Sequence, residues 1–383
     1  RAMAMAAGRL ARPLYAAKAA CDALAPLVRE IYGSADRLVE LKEDASRFTV
    51  ADGLVQEMLV RHLFFGGRGF KAVVGEEDAS KTNLTARPYT VSSLAVPEAL
   101  FDMIDQVRDT IEDLGRGAGL DAPEVLPECT VFVDPIDGTK EFSTRLGEQC
   151  TILVGLAEHG RPVGGLVYRP ISSPASWALG SAGEDLRDGA LDVDHALATT
   201  TTPVQPRGLL TTNGAISAFT EALLQELARD APDADAQAPS LRVCAGGAGN
   251  KVLNLLEGRA SCYIQDRGVS RWDSCASQAV VEAYGGLLCQ LHPFLARKEL
   301  KSYTYRATEV NLDFEADAQV RLTKYNRRSN CTSTEPTVQT PEEIKPYANV
   351  CGLIALRSAE PEHVDRFYDL CSRAAAVARP SFD

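Results

Sequence analysis

The sequence lacks several features that would place it in other protein classes. No apolar run reaches the roughly 18 residues that a membrane-spanning helix needs. The ten cysteines form no CxxC pair, and the five histidines are too dispersed for a zinc site. There is no GxSxG motif of a serine hydrolase, no cysteine-centred phosphatase signature and no GK[ST] phosphate loop. A membrane span, a zinc domain and a covalent serine or cysteine hydrolase are therefore disfavoured.

The charge balance argues against a polyanionic partner. The 383-residue chain carries 52 acidic and 40 basic residues, a formal net charge of −12. Nucleic acids and anionic membranes attract basic surfaces, so we expect neither as a partner. Most cysteines lie in apolar stretches, which is typical of reduced core thiols and predicts a cytoplasmic compartment. The length suffices for one large or two medium domains with full cores.

The most informative stretch is VDPIDGT, residues 133–139. An apolar, β-branched run over 129–133 predicts a strand that Pro135 ends, and Gly138 permits a tight turn. The carboxylates of Asp134 and Asp137 would then converge with backbone N–H groups, a set that suits a hard divalent cation beside a phosphate. The alternative is an Asx-type turn after a strand, which needs no ligand.

Three other acidic segments accompany this stretch. Glu76, Glu77 and Asp78 follow a strand predicted over 70–73, and their mutual repulsion calls for a cation or water. Asp52 opens a helix with apolar spacing. Asp273 precedes a helix predicted over 278–284, where it would serve either as its N-cap or as a metal ligand.

A glycine-rich turn over residues 245–251 opens another predicted helix. Such a turn can hold a phosphate on free N–H groups, but it is also the form of any tight strand-to-helix connection. Lys251 at its end is either a cation for a substrate phosphate or a solvated lysine at a helix start.

The motifs GEE, DPIDGT and WDSCA, in this order, resemble those of the magnesium-dependent, lithium-sensitive phosphomonoesterase superfamily, the inositol monophosphatase-like proteins. The resemblance spans nearly the whole chain. It implies an α/β fold, a layered α/β/α/β/α sandwich. Features of two branches are mixed: TVAD, WDSC and GLIALRS resemble inositol polyphosphate 1-phosphatase, whereas DGTKE and GAGNK resemble the 3'(2'),5'-bisphosphate nucleotidases.

The resemblance also assigns roles to residues and predicts two or three Mg²⁺ ions. A first ion would be held by Glu76, Asp134 and the carbonyl of Ile136. A second would be held by Asp134, Asp137 and Asp273. Asp52 would lie near a third, weaker ion and with Thr139 would orient the attacking water. The predicted substrate contacts are the N–H groups of Gly138 and Thr139, together with Gly247, Lys251 and Arg271.

The favoured activity is removal of the 1-phosphate from an inositol polyphosphate such as inositol 1,4-bisphosphate. The alternative is removal of the 3'-phosphate from adenosine 3',5'-bisphosphate. A phosphoinositol-binding regulator without catalysis is a third hypothesis, which the full set of acidic residues disfavours. The expected partner is a small phosphorylated metabolite, with no nucleic acid and no membrane, and the expected oligomeric state is a monomer.

The organisation of the chain predicts two domains. Residues 1–205 would form an N-terminal α+β domain with GEE and DPIDGT, and 206–383 a C-terminal α/β domain with the WD motif and the glycine turn. The boundary is the Thr/Pro stretch 199–206. The Ala/Arg-rich start suits either a transit peptide or an amphipathic helix over 13–32, and the apolar stripe favours the helix. The polar stretch 294–347 is predicted to be an insertion.

Overall fold

A computed structural model describes residues 8–34, 39–42, 47–192, 208–230, 241–318, 320–322, 326–328, 337–380 and 382. The α-helices of the described residues are α1 Ala11–Gly33, α2 Val50–Glu57, α3 Phe101–Gly117, α4 Thr139–Ser143, α5 Ala218–Arg229, α6 Ala248–Leu256, α7 Arg271–Ala283, α8 Leu291–Arg297 and α9 Pro361–Val377. A π-helical stretch, Met58–Leu63, continues α2.

The strands are β1 Val39–Leu41, β2 Arg47–Thr49, β3 Phe70–Gly75, β4 Thr82–Asn83, β5 Thr90–Val91, β6 Leu94–Ala95, β7 Leu126–Asp137, β8 Thr151–Glu158, β9 Arg161–Arg169, β10 Ser176–Ser181, β11 Leu186–Ala190, β12 Leu209–Thr211, β13 Arg242–Cys244, β14 Cys262–Gln265, β15 Val269–Ser270, β16 Leu287–Gln290, β17 Ala348–Asn349 and β18 Leu353–Leu356. The fold class is α/β, as predicted.

The chain forms two compact units. The first contains the described residues up to Leu191 together with Gly247–Asn250 and Trp272–Ala283. The second contains the described residues of 192–246, 251–271 and 284–382. The glycine turn and the WD helix, which come late in the sequence, thus belong largely to the first unit. The division at residue 205 stays a prediction, because the stretch 199–206 lies outside the described residues.

A six-stranded sheet forms the centre of the first unit, in the order β11-β10-β9-β8-β7-β3. Neighbouring strands are antiparallel except for β3 and β7, which run parallel. Strand β8 is buried along its whole length, as expected of a central strand covered on both faces. The parallel pair brings the carboxyl ends of β3 and β7 together. Glu76 directly follows β3, and Asp134 and Asp137 belong to the last four residues of β7.

Helix α1 confirms the amphipathic helix predicted near the N-terminus. The residues of its apolar stripe are all buried: Leu14, Ala17, Cys21, Leu24, Leu27, Val28 and Ile31. Pro26 lies inside the helix, which nevertheless runs unbroken from Ala11 to Gly33. Pro26 is on the exposed side, where loss of one backbone hydrogen bond leaves the carbonyl accessible to water.

The second unit is built on a five-stranded sheet in the order β13-β12-β14-β18-β16. Strand β12 pairs in parallel with β13 and β14, while β18 pairs antiparallel with β14 and β16. The apolar faces of α5 and α9 contribute Phe219, Leu223 and Phe367 to its core. Among the described residues, no helix is both long enough and apolar enough to span a lipid bilayer.

Candidate metal centre

The DPID stretch forms the end of strand β7. Asp134 pairs with Leu153 of β8 and Asp137 with Thr151. The two residues between them on β7, Pro135 and Ile136, lie opposite a single residue of β8, which is a β-bulge. The prediction that Pro135 ends the strand is wrong. Pro135 instead falls in this irregularity, where a proline needs no ladder hydrogen bond. The bulge redirects the chain so that both carboxylates can face one point.

The third carboxylate, Asp273, reaches this point because helix α7 lies very close to the sheet. Gly155 and Gly165 are paired across β8 and β9. A Cβ atom at Gly155 would lie 2.6 Å from the Ala276 nitrogen, and one at Gly165 would lie 2.5 Å from the Ala276 oxygen. Only glycine permits this approach. One carboxylate oxygen of each of Asp134, Asp137 and Asp273 then lies within 4.8 Å of the others.

Asp273 is placed differently from the sequence prediction. Helix α7 begins at Arg271, so Asp273 lies within the first turn and the expectation that it precedes the helix as its N-cap is wrong. The first turn is a favourable position for a carboxylate because of the helix dipole. The helix therefore both supplies this side chain and stabilises its negative charge.

Asp137 is held by three donors. The Thr151 hydroxyl and the Gly249 N–H each donate to Oδ2 over 2.8 Å, and the Ala248 N–H donates to Oδ1 over 2.9 Å. The two N–H groups belong to the start of α6, where the helix leaves its first donors unpaired. These bonds fix the direction of both oxygens of Asp137.

Asp134 differs from Asp137 because one of its carboxylate oxygens accepts no hydrogen bond from the described residues. It is 1% exposed, and its Oδ1 has no hydrogen-bond partner among the described residues. Burial, followed by the charges of Glu76, Asp137 and Asp273, raises the pKa of Asp134 well above its usual range. A buried, unpaired carboxylate oxygen is costly in the protein alone. A cation at this point would satisfy it.

Asp52 is part of the cap of α2 and also contacts Thr139. Its Oδ2 accepts bonds from the backbone N–H and the hydroxyl of Thr49. The Asp52 N–H donates back to the Thr49 hydroxyl oxygen over 3.4 Å, which completes a capping box at the start of α2. Its Oδ1 lies 3.2 Å from the hydroxyl of Thr139, which is also 3.0 Å from the carbonyl of Ile136. Burial, with a contribution from Glu76, raises the pKa of Asp52 to about 7. Asp52 and Thr139 thus form a hydrogen-bonded pair, and their role in orienting the attacking water stays a prediction.

The GEE turn is held by a lysine and a glutamine that the sequence analysis did not single out. Lys42 Nζ lies 3.2 Å from Oε1 of Glu76 and 2.5 Å from Oε1 of Glu77. Gln56 of α2 exchanges two hydrogen bonds with the backbone of Glu77, of 2.6 and 2.7 Å. Burial lowers the pKa of Lys42, but the charges of Glu76 and Glu77 outweigh it and the pKa is raised.

Glu77 itself is a strongly perturbed acid. Burial and then the charge of Glu76 raise its pKa to about 8, although Lys42 opposes the shift. The partners lie 34 and 35 residues apart in sequence, so no local pattern could have indicated them. A cluster of acids in which one carboxyl, here Glu77, has a strongly raised pKa is nevertheless typical of a functional site.

These pKa shifts predict the pH dependence of stability. Asp52, Glu77 and Asp134 keep protons in the folded protein that the unfolded chain loses above about pH 4. The free energy of unfolding of the metal-free protein should therefore fall as the pH rises from about 4 to about 8. Added Mg²⁺ should raise the melting temperature by several degrees at pH 8 and by less at pH 6.

Thermal unfolding at several pH values, with EDTA or with Mg²⁺, measures this effect. Buffers free of Ca²⁺ are used. The Glu158→Gln variant is the control for general charge effects, because Glu158 is a buried acid that pairs with Arg9 and not with the cluster of Asp134, Asp137 and Asp273. A melting temperature that is flat between pH 5.5 and 8 and indifferent to Mg²⁺ would contradict the electrostatic description.

The predicted substrate residues fall in different surroundings. Gly138 adopts a φ of +91° ahead of α4, and Gly247 a φ of +66° before α6, conformations that favour glycine. Lys251 is 6% exposed and its ammonium lies 5.0 Å from the ring centre of Tyr263, so the alternative of a solvated lysine is wrong. Arg271 is 2% exposed and donates to the carbonyls of Arg306 and Glu309. Contacts of these four residues with a substrate stay predictions.

The residues present suit a divalent cation. The cluster offers carboxylate oxygens from Asp134, Asp137 and Asp273, and Asp134 has a buried oxygen, Oδ1, without a hydrogen-bond partner among the described residues. Hard cations such as Mg²⁺ prefer oxygen ligands of this kind, usually one or two carboxylates completed by water and substrate. Glu76 follows the neighbouring strand β3, and its backbone N–H donates over 3.1 Å to the carbonyl of Val133, the residue before Asp134.

The sequence profile of the inositol monophosphatase family matches residues 10–324, which is most of the chain. The protein belongs to this family. The 3'(2'),5'-bisphosphate nucleotidase 1 of Rattus norvegicus is 32% identical over 190 residues, covering 45% of this chain and 54% of that protein. The Golgi-resident adenosine 3',5'-bisphosphate 3'-phosphatase of Rattus norvegicus is 28% identical over 178 residues, covering 44% and 45%.

The chain thus spans about half the length of these curated relatives. Among solved structures, CysQ from Bacteroides thetaiotaomicron, described as a bacterial member of the inositol monophosphatase family, aligns over 90% of this chain and 97% of its own. The TM-score is 0.47 and the sequence identity 17%. Because one relative is Golgi-resident, the cytoplasmic compartment stays a prediction.

Proposed function

We propose that this protein is a Mg²⁺-dependent phosphomonoester hydrolase. The observation that carries the proposal is Asp134, a fully buried carboxylate with an unpaired oxygen, within 4.8 Å of two further carboxylates. Membership of the inositol monophosphatase family supports the same reaction class. The third hypothesis, a binder without catalysis, is disfavoured because a binder would not need this arrangement of acids.

The residues that would hold Mg²⁺ are those predicted from the sequence. Glu76, Asp134 and the carbonyl of Ile136 would hold one ion, and Asp134, Asp137 and Asp273 a second. When bound, the ions lower the pKa of a water molecule and neutralise charge on the phosphoryl and leaving oxygens. Asp137 is fixed in advance by its three donors, whereas Asp134 gains its missing partner on binding.

Asp52 and Thr139 would position the attacking water. A hydroxyl has one proton to donate, and Thr139 lies within bonding distance of the Asp52 carboxylate. When Thr139 donates to Asp52, its oxygen is left to accept a proton from water. Asp52 can then receive the proton through Thr139, and a pKa of about 7 suits proton acceptance near neutral pH. The N–H groups of Gly138 and Thr139 would bind the phosphate.

Two substrates fit this site chemistry about equally. The sequence motifs favour removal of the 1-phosphate from an inositol polyphosphate such as inositol 1,4-bisphosphate. The names of the nucleotidase relatives favour the 3'-phosphate of adenosine 3',5'-bisphosphate. Both are small molecules with a scissile phosphate and a second phosphate, so the common proposal is a bisphosphorylated metabolite.

The test compares the two bisphosphates under identical conditions. Phosphate release is measured for each with Mg²⁺, and the product is identified by NMR to show which phosphate has left. A kcat/KM at least tenfold higher for one substrate assigns the branch. Release from neither compound, in protein that binds Mg²⁺, would contradict the proposed substrate class.

The second phosphate provides a further prediction. We expect Lys251→Ala to raise KM for a bisphosphate by about ten- to a hundredfold, because a charge-assisted contact contributes about 1.5–3 kcal/mol. The kcat should change little, since the contact would be the same in the ground and transition states. A monophosphate such as inositol 1-phosphate should be nearly indifferent to the substitution.

Steady-state kinetics on both substrates, with the melting temperature of each variant, make this measurement. Lys18→Met serves as the control, since Lys18 forms an ion pair with Asp22 on the surface of α1. Equal losses on the bisphosphate and the monophosphate would show that buried Lys251 supports the fold instead, and the pocket for the second phosphate would have to be placed elsewhere.

A further inference from the structure

The end of strand β9 carries a buried arginine that the proposed mechanism does not use. Arg169 is 7% exposed. Its Nε donates to Oδ1 of Asn250 over 2.9 Å, and Nη2 lies 3.4 Å from the backbone oxygen of the same residue. Nη1 donates to the hydroxyl of Ser176 across the strand pair over 2.9 Å. One guanidinium thus holds both the side chain and the backbone of Asn250.

Asn250 lies in the first turn of α6, directly after the residues that bind Asp137. Ala248 and Gly249 supply the two N–H groups that hold the Asp137 carboxylate, and Asn250, 3% exposed, is the next residue. Arg169 therefore binds helix α6 at the residue after Gly249, whose N–H donates to the predicted metal ligand Asp137. The intervening backbone is helical, so a displacement at Asn250 is transmitted to both N–H groups.

The fit of this turn against the sheet leaves little room for adjustment. A Cβ atom at Gly249 would lie 2.4 Å from Oγ1 of Thr151, and one at Gly247 would lie 2.8 Å from Oδ2 of Asp137. The turn must therefore lie at one fixed distance from the sheet if it is to bond Asp137 without a steric clash. The hydrogen bonds of Arg169, on strand β9, to Asn250 fix this distance between the turn and the sheet.

We propose that Arg169 is a positioning residue that, through Asn250, sets the orientation of the Asp137 carboxylate for cation binding. Both oxygens of Asp137 accept hydrogen bonds from the turn, so the directions left for a cation depend on where the turn lies. Residues that orient ligands through such bonds commonly change metal affinity by about 10- to 100-fold when they are replaced. The inference rests on the proposed function, since it takes Asp137 as a ligand.

The test is calorimetric titration of the metal-free protein with Mg²⁺, which needs no substrate and no turnover. We expect Arg169→Met and Asn250→Ala each to weaken Mg²⁺ binding by about tenfold. The double variant should be no weaker than the poorer single variant, because both changes break the same connection. With substrate present, the Mg²⁺ concentration for half-maximal rate should rise more than kcat falls.

Two control variants separate positioning from general stability. Arg29→Met removes a comparable arginine, which donates to the carbonyls of Pro170 and Ser172 just beyond β9, without touching α6. Ser176→Ala removes only the contact of Arg169 within the sheet. Both should keep the Mg²⁺ affinity of the unchanged protein, even where the melting temperature falls.

The outcomes are distinct. If the unchanged protein binds no Mg²⁺, the proposed function fails and the inference with it. If the unchanged protein binds Mg²⁺ and folded Arg169→Met binds it equally well, the inference alone is overturned. Should Arg169→Met fail to fold, Asn250→Ala decides alone, and normal Mg²⁺ affinity in that variant overturns the inference. A Mg²⁺ affinity that falls equally in Arg29→Met would likewise reduce Arg169 to a stabilising residue.

Discussion

Asp134→Asn should abolish phosphate release, with a loss of several orders of magnitude at saturating Mg²⁺. The substitution removes the charge from the carboxylate predicted to be shared by two ions, and the remaining acids could not hold both. The fold should survive, because Asp134 is buried with a raised pKa and an amide is less costly there than a carboxylate. The melting temperature without metal should stay level or rise, while its response to Mg²⁺ should disappear.

The measurement combines steady-state phosphate release with Mg²⁺ titration of the folded variant. Glu158→Gln is the matched control, because Glu158 is also a buried acid of the same sheet, 8% exposed and paired with Arg9. The control should keep both Mg²⁺ binding and activity. Near-normal turnover in Asp134→Asn would show that the DPIDGT stretch is not a metal centre.

Asp52→Asn should lower kcat by about 10²- to 10⁴-fold, the range of a lost general base. The hydrogen bond from Thr139 can survive in the amide, but the proton acceptor is gone. KM for the substrate should change little, since Asp52 is not expected to contact it. The kcat of the unchanged protein should fall at acidic pH as Asp52 takes up a proton, and this acidic limb should vanish in the variant.

The control for this variant lies on the same helix. Glu57 of α2 is 4% exposed and pairs with Arg61 rather than with the cluster. Glu57→Gln should therefore leave kcat and its pH profile unchanged. If Asp52→Asn keeps the acidic limb, another group accepts the proton and the roles given to Asp52 and Thr139 are incorrect.

The sequence was sufficient to predict the acidic segments and the elements that carry them. Alternating or apolar runs ending in acids predicted β3 and β7, and the apolar stripe predicted α1. The family motifs then selected Asp134, Asp137 and Asp273 as one group. The elements could be predicted because each depends on local spacing, which the period of a helix or a strand fixes, whereas the grouping of the three acids depended on the family resemblance.

The supporting contacts could not be predicted in this way. Lys42 with Glu77, Thr151 with Asp137 and Arg169 with Asn250 join residues between 14 and 81 positions apart. Such pairs depend on strand register and on how closely helices approach the sheet. One signal was present in retrospect: glycines 155 and 165 stand in adjacent strands, where a helix can approach closely.

The boundaries of the acidic segments also depended on tertiary structure. Pro135 was expected to end its strand, but pairing with β8 resumes at Asp137 after the bulge. Asp273 was expected before its helix, but α7 starts two residues earlier. For β7 the pairing with β8 extends the strand beyond the proline, which the local residues do not indicate.

The most direct test of the account is phosphate release as a function of Mg²⁺. Protein stripped with EDTA is given inositol 1,4-bisphosphate or adenosine 3',5'-bisphosphate, and the initial rate is followed as Mg²⁺ is added. The account predicts no release without the ion, a rate that rises to saturation with it, and reversal on renewed chelation. A rate that is independent of Mg²⁺, or no hydrolysis of either bisphosphate by protein that has bound Mg²⁺, would contradict it.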